Sequence, residues 1–343
     1  MPPLALDPTA RLKIGEPTLR LYRKCALELS TWLLEHALHP QSPPEWDDLL
    51  VEWKQAVAPT KSAFSNTLAS LEFFFPHLKG QLQWSHQIKA AFDVAHVPQH
   101  TVPMLGNVCR LYAIHFSVDG HPSLAIGCVL QQSKGLRPSE MLGIDSTDVA
   151  LPEENQALGA RACVIALGVK TGTKAKRAQS VVLPEESFGQ LIQCLRVLKA
   201  VVGPSGRLFP YTLSQYNRML KRVSKRLGID VNYTPHSLRA GFASEGRILG
   251  KSFVELREEG RWVSDSSLRI YVDIVSSTAI ARSLELRGLK EALGFASTHW
   301  PSYLARPWVE ACHGHQEKAG SGVDRDASAS SAGATGASLA RTG

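Results

Sequence analysis

Residues 234–273 read TPHSLRAGFASEGRILGKSFVELREEGRWVSDSSLRIYVD, and four of their side chains carry chemistry: His236, Arg239, Trp262 and Tyr271. His236 and Arg239 are three apart, so on a helix they share one face. Pro235 suits a first helical position and Thr234 its cap, which predicts a helix starting there. Arginine offers a rigid fork of donors that grips a phosphate with two hydrogen bonds. Histidine donates to a phosphoryl oxygen or moves a proton near neutral pH. Tyrosine can act as a covalent nucleophile. Taken singly, HxxR also fits a helix cap or a surface pair, and a tyrosine in LRIYV also fits a core position. Taken together around one phosphodiester, with further positive charge, the set suffices for attack on phosphorus.

Their spacing carries a resemblance. HSLRAG occupies 236–241, Trp262 follows 23 residues after Arg239, and Tyr271 follows nine after Trp262. This order resembles the active-site segment of the tyrosine recombinases, the phage integrase family, whose motif is H-x-L-R-x-G, then a His or Trp, then the nucleophilic Tyr. Trp262 in its GRW context is most like the Cre-type phage recombinases. Upstream, SKGLRPSEMLGID at 133–145 resembles the family's first arginine box. The resemblance implies that Arg137 reaches the scissile phosphate and that Glu140 supports the site through hydrogen bonds. Without it, Arg137 and Glu140 also read as an ordinary i,i+3 ion pair.

Between two expected strands, 162–169 and 180–183, lies the basic turn KTGTKAKR. It resembles the family's hairpin, whose lysine is the general acid for the leaving 5′-oxygen. Lys170 is the choice, with Lys174 and Lys176 as rivals that also serve as DNA contacts. Downstream, Ser214 is expected to cap the helix SQYNRMLKRVSKRLG. Arg218, Lys221, Arg222, Lys225 and Arg226 form its cationic stripe, opposite Tyr216, Met219, Leu220, Val223 and Leu227. In the resembling family this helix lies against DNA, which makes Arg218 and Arg222 candidate contacts; a solvated face is the other reading.

The rest of the chain sets the frame. Its 343 residues suffice for two domains with real cores. The hydrophobic content of 44% is that of a globular protein. A net charge of +7 and a pI near 9.1 permit a nucleic-acid partner. No apolar run reaches the roughly 18 residues of a membrane span, and the start lacks the pattern of a secretory signal. Six scattered cysteines with no metal-ligand spacing read as reduced thiols of a cytosolic or nuclear protein. Walker, GxGxxG and HExxH motifs do not occur.

In chain order, the expectation is a flexible leader over 1–16 and a helical module over 17–95. Its apolar periodicity runs through Leu19, Trp32, Trp53, Phe64 and Leu71, broken by HPQSPPEW and FFFPHLKG. By resemblance this module is the core-binding domain that clasps DNA, with Lys61 and Lys79 among its candidate phosphate contacts; a protein-binding module is the alternative. A linker over 96–103, a catalytic domain over 104–297 and a flexible tail over 298–343 complete the division. The amphipathic stretch 278–294, with Ile280, Leu284, Leu286, Leu289 and Leu293, docks either on its own domain or, as often in the family, on a neighbouring protomer. The fold class is mainly α with a small β-hairpin or sheet: a helical core-binding domain plus a mixed α/β catalytic domain. The implied activity is site-specific cutting and rejoining of double-stranded DNA by a homotetramer on two sites, with no metal or other cofactor and no membrane. A type IB topoisomerase and a non-catalytic DNA-binding relative are the alternatives.

Overall fold

The computed structural model describes residues 14–95, 101–155, 161–168 and 179–320, with side chains through 305. The chain divides into two compact units, Met1–Gln99 and His100–Gly343.

The described residues of the first unit form four α-helices: α1 (Glu16–Glu35), α2 (Pro43–Val57), α3 (Lys61–Phe74) and α4 (Gln83–Ala95). Prolines open α1 and α2, where a missing N–H costs nothing. Thr60 caps α3 by accepting from the Ala63 N–H at 3.2 Å. Leu29, Leu50, Trp53, Phe64, Leu68 and Leu71 make a dry centre, with the rings of Trp53 and Phe64 stacked at 6.5 Å. Each such side chain contributes about 1.5–3 kcal/mol when fully buried. Asp47 is buried among them and serves as a cap from outside the helix it caps. Its carboxylate accepts from the backbone N–H of Trp84 (2.8 Å) and Ser85 (2.9 Å) and from the Ser85 hydroxyl (2.6 Å).

The second unit begins with two antiparallel-connected helices, α5 (Gly106–Val118) and α6 (Pro122–Lys134), whose residues are buried on most sides. A short helix α7 (Pro138–Leu142) follows. Strands β1 (Val149–Ala150), β2 (Ala162–Leu167) and β3 (Gln179–Pro184) then form one antiparallel sheet in sequence order, with Val149 opposite Ile165 and Val164 opposite Val182. Cys163, Ile165 and Leu167 of β2 and Val181 and Leu183 of β3 point into the core, the alternation of a half-buried strand. The β1 strand is an addition to the expected pair; its two residues are too few to show a period.

Helices α8 (Glu185–Val202), α9 (Leu213–Arg226), α10 (Ser237–Ile248), α11 (Phe253–Gly260), α12 (Asp265–Arg269), α13 (Ile274–Leu284) and α14 (Lys290–Gly320) follow among the described residues. Four expectations are corrected. The cap of α9 is Thr212, whose hydroxyl accepts from the Gln215 N–H at 3.2 Å, because Gln215 closes a reciprocal capping box there and Ser214 is already inside the helix. Helix α10 starts at Ser237, since Thr234, Pro235 and His236 are spent in a turn whose N–H and carbonyl both bond Ser237. The stretch 278–294, expected to be amphipathic throughout, is interrupted at Gly288, with φ +80°, and Leu286 is left exposed. The tail expected from 298 is helical through Gly320: Leu293, Ala296, Trp300 and Leu304 form one buried stripe, and Ser117 of α5 bonds the Tyr303 carbonyl at 2.6 Å. Its stripe docks on the unit's own core, alongside Leu284.

What matters for the site is how α10 is clamped. Glu245 accepts from the Gly106 N–H at 3.2 Å and from Gln132 Nε2 at 2.6 Å. Gln131 donates to the Pro235 carbonyl at 2.8 Å, and the Met104 N–H donates to the Ser237 carbonyl at 2.9 Å. The start of α10, and with it His236 and Arg239, is therefore held from the start of α5 and the end of α6.

Candidate active site

Arg239 lies on the inner face of α10 and is only 1% exposed, the largest fully buried side chain among the described residues. Burying a guanidinium requires partners for its donors. Nη1 donates to the Gly135 carbonyl, and Nη2 donates to the Gly260 carbonyl at 2.8 Å. Both acceptors are glycines for steric reasons. Gly135 ends α6 with φ +55°, and a Cβ there would stand 2.5 Å from the Phe242 ring. A Cβ on Gly260 would stand 1.8 Å from the Trp262 ring.

The face of that guanidinium is covered by aromatic rings. Its carbon lies 3.9 Å from the centre of the Trp262 ring and 5.7 Å from that of Tyr271. Trp262 in turn stacks on Phe242 at 6.2 Å and meets Tyr271 at 5.6 Å. Phe242, Leu256, Trp262 and Leu268 form a separate small core against which Tyr271 packs. The Ser244 hydroxyl fixes the chain around Tyr271, donating to its carbonyl at 3.2 Å and accepting from the Asp273 N–H at 3.0 Å. Burial, then the nearby Arg137, pulls the Arg239 pKa down to about 9, which still leaves it charged at neutral pH.

Three donors in this cluster, Arg239 Nε, Arg261 Nε and Trp262 Nε1, are buried and have no hydrogen-bond partner among the described residues. Each such orphan costs about 1–3 kcal/mol.

Glu140 is the buried acid of the site, its side chain 2% exposed. It accepts from the Arg137 N–H at 2.8 Å, from Arg137 Nη1 at 2.5 Å and from Arg261 Nη2 at 2.9 Å. Burial works to raise its pKa; Arg261, the Arg137 N–H and the Arg137 side chain outweigh it and hold the group below the ordinary carboxylate value. Arg137 keeps 38% of its side chain exposed. His236 is exposed at the mouth of α10; partial desolvation, then Arg239 and Arg137, lowers its pKa, so the ring is neutral at neutral pH.

The fold thus brings Arg239, Trp262 and Tyr271 into contact, joins Arg137 to Glu140, and sets His236 within the field of both arginines. Lys170, Lys174 and Lys176 lie outside the described residues. Arg218 and Arg222 stand exposed on α9 beside Lys221 and Lys225, while Arg226 is drawn into an ion pair with Asp119 at 2.9 Å. In the first unit Lys79 is exposed, and Lys61 is paired with Asp93 at 2.7 Å. Arg261 was given no role by the sequence reading; its one signal was a basic residue directly before Trp262. No helix among the described residues is long and apolar enough to cross a membrane.

No protein-family model matches this sequence, and no curated protein matches it. Solved structures do. One is the XerH site-specific recombinase bound to its palindromic difH substrate in a post-cleavage complex, at 14% identity and TM-score 0.52, covering 82% of this chain and 81% of that one. Another is the integrase of transposon Tn1549 in complex with transposon right end DNA, at 16% identity and TM-score 0.53, covering 81% of this chain and 96% of that one. The chain shares the fold of these recombinase structures, mainly helical, and among its described residues it carries one small antiparallel sheet.

Proposed function

We propose that this protein is a DNA strand transferase of the tyrosine recombinase type, cutting and rejoining DNA at specific sites. The observation that carries the reading is the buried, ring-covered Arg239, with the unpaired donors on Arg239 and Trp262 beside Tyr271. A guanidinium held dry and charged is preorganised for charge that develops on phosphorus. The cost of holding it there is hard to explain by stability alone.

In the proposed step the Tyr271 hydroxyl oxygen attacks a backbone phosphorus and gives up its proton to solvent water. The bond from phosphorus to the 5′-oxygen breaks, and its electron pair leaves with that oxygen. Lys170 supplies the proton that makes it a 5′-hydroxyl. Arg137, Arg239, His236 and Trp262 bond the non-bridging oxygens; the indole of Trp262 donates a hydrogen bond and transfers no proton. The product is a 3′-phosphotyrosyl link, and a 5′-hydroxyl from a partner strand reverses the step. One phosphodiester is exchanged for another, so the exchange itself needs no nucleotide. Trp262 in place of histidine supports the Cre-type variant of this reading. The helical unit, with Lys61 and Lys79, and the stripe with Arg218 and Arg222 are proposed to hold double-stranded DNA, in a homotetramer on two sites.

The test is a denaturing gel for covalent protein–DNA adduct on nicked duplexes drawn from the DNA flanking the gene. Wild type is expected to form the adduct and Tyr271→Phe to form none while still binding. An adduct that survives in Tyr271→Phe removes the nucleophile assignment; binding without adduct in wild type leaves a non-catalytic DNA-binding protein.

A further inference from the structure

Arg261 is an arginine where backbone geometry favours glycine. It ends α11 with φ +59° and ψ +41°, a left-handed conformation that an L-residue adopts at a cost and that glycine adopts freely. Its side chain does not extend into solvent. It is 7% exposed and reaches back to the end of α6 and the start of α7. Nη2 donates to Glu140 at 2.9 Å; Nη1 lies 3.3 Å from the Glu259 carbonyl and 3.5 Å from that of Lys134. The turn it forms delivers Trp262, whose N–H bonds the Arg257 carbonyl at 2.9 Å.

We propose that Arg261 is a positioning residue of the phosphoryl site: by sharing Glu140 it offsets that buried carboxylate, so that Arg137 stays directed to an anion, and it pins the turn that seats Trp262 on Arg239. The inference rests on the reading of this site as one that binds a phosphoryl group. Its logic is charge. Among the described residues of the cluster, Arg137, Arg239 and Arg261 stand against Glu140. Removing Arg261 leaves Glu140 to Arg137 alone of these three by direct bond, and the carboxylate then competes with any anion for the same guanidinium.

Arg261→Gly separates this role from the fold, because glycine relaxes the left-handed turn. Orthovanadate, a mimic of pentavalent phosphorus, is titrated calorimetrically into the full chain. Arg261→Gly is expected to remain folded by circular dichroism and to bind vanadate roughly tenfold more weakly. Arg261→Lys should recover part of the loss. Glu140→Gln in the Arg261→Gly background should recover most of it, since the charge to be offset is gone. Equal binding by wild type and Arg261→Gly overturns the proposal, and so does a loss that Glu140→Gln leaves unchanged. A wild type that binds no vanadate overturns it too. The Tyr271-dependent adduct is scored separately, so a failure of strand cleavage with intact vanadate binding counts against the recombinase reading and not against Arg261.

Discussion

Arg239 and Arg222 are the same side chain put to opposite uses. Arg222 stands on the exposed face of α9 beside Arg218, Lys221 and Lys225, in water. Arg239 is 1% exposed, bonded to two glycine carbonyls and covered by the Trp262 ring. An exposed guanidinium is a mobile charge screened within about 8–10 Å, suited to the sequence-blind attraction of a phosphate backbone. A buried one is rigid and unscreened, suited to one oxygen at one place. Net charge treats the two alike; only desolvation separates them.

The sharpest way to break that contrast is to keep the charge and lose the fork. Arg239→Lys is expected to lower adduct formation about 10²–10³-fold while DNA affinity changes little, since lysine cannot bond both glycine carbonyls. An undiminished rate would mean that the buried arginine is structural. Comparable in free energy, Trp262→Ala removes the ring between Phe242, Tyr271 and Arg239. It is expected to cost about 3–5 kcal/mol in urea denaturation, and a cost near zero would show that the small second core does not close on Arg239. On the exposed side, Arg218→Ala and Arg222→Ala should weaken binding to DNA of any sequence alike. Each should reduce the slope of log affinity against log salt by about 1. A loss confined to one sequence would make these residues base readers.

The smallest effect is in pH. The folded-state pKa of His236 lies below its ordinary value because of desolvation, then Arg239 and Arg137. Between those two values the unfolded chain holds a proton that the folded chain refuses. Stability is therefore full above the ordinary histidine value and falls as pH drops toward the folded-state pKa. A bound phosphodiester reverses the local field and favours the charged ring, so DNA binding should take up a proton and tighten as pH falls below neutral. His236→Gln is expected to flatten both trends in melting and binding series from pH 7.5 to pH 5.5. A mutant with the wild-type profile would assign the dependence to another group.

The legible parts of this molecule were the local ones. The helical unit was readable because Trp53, Phe64 and Leu71 recur at helical spacing and prolines punctuate it. Asp47, which caps α4 from 37 residues away, left no such trace. The end of the second unit was misread for a related reason. A flexible tail was expected from 298, yet Trp300 and Leu304 continue a stripe that only the neighbouring α5 makes meaningful. The same holds for the bond from Arg261 to Glu140, which spans 121 residues.

By itself the sequence supplied the candidate residues of the site and their order: Arg137 and Glu140 in one box, His236 and Arg239 in another, then Trp262 and Tyr271. Those follow from residue types at short spacings, which a single chain displays. The tertiary structure alone decided that Arg239 is dry, that it is charged beneath a tryptophan with two donors unspent, and that Glu140 is divided between two arginines. Burial and the fields of distant charges arise from elements that meet only when the chain has folded, so no local spacing encodes them.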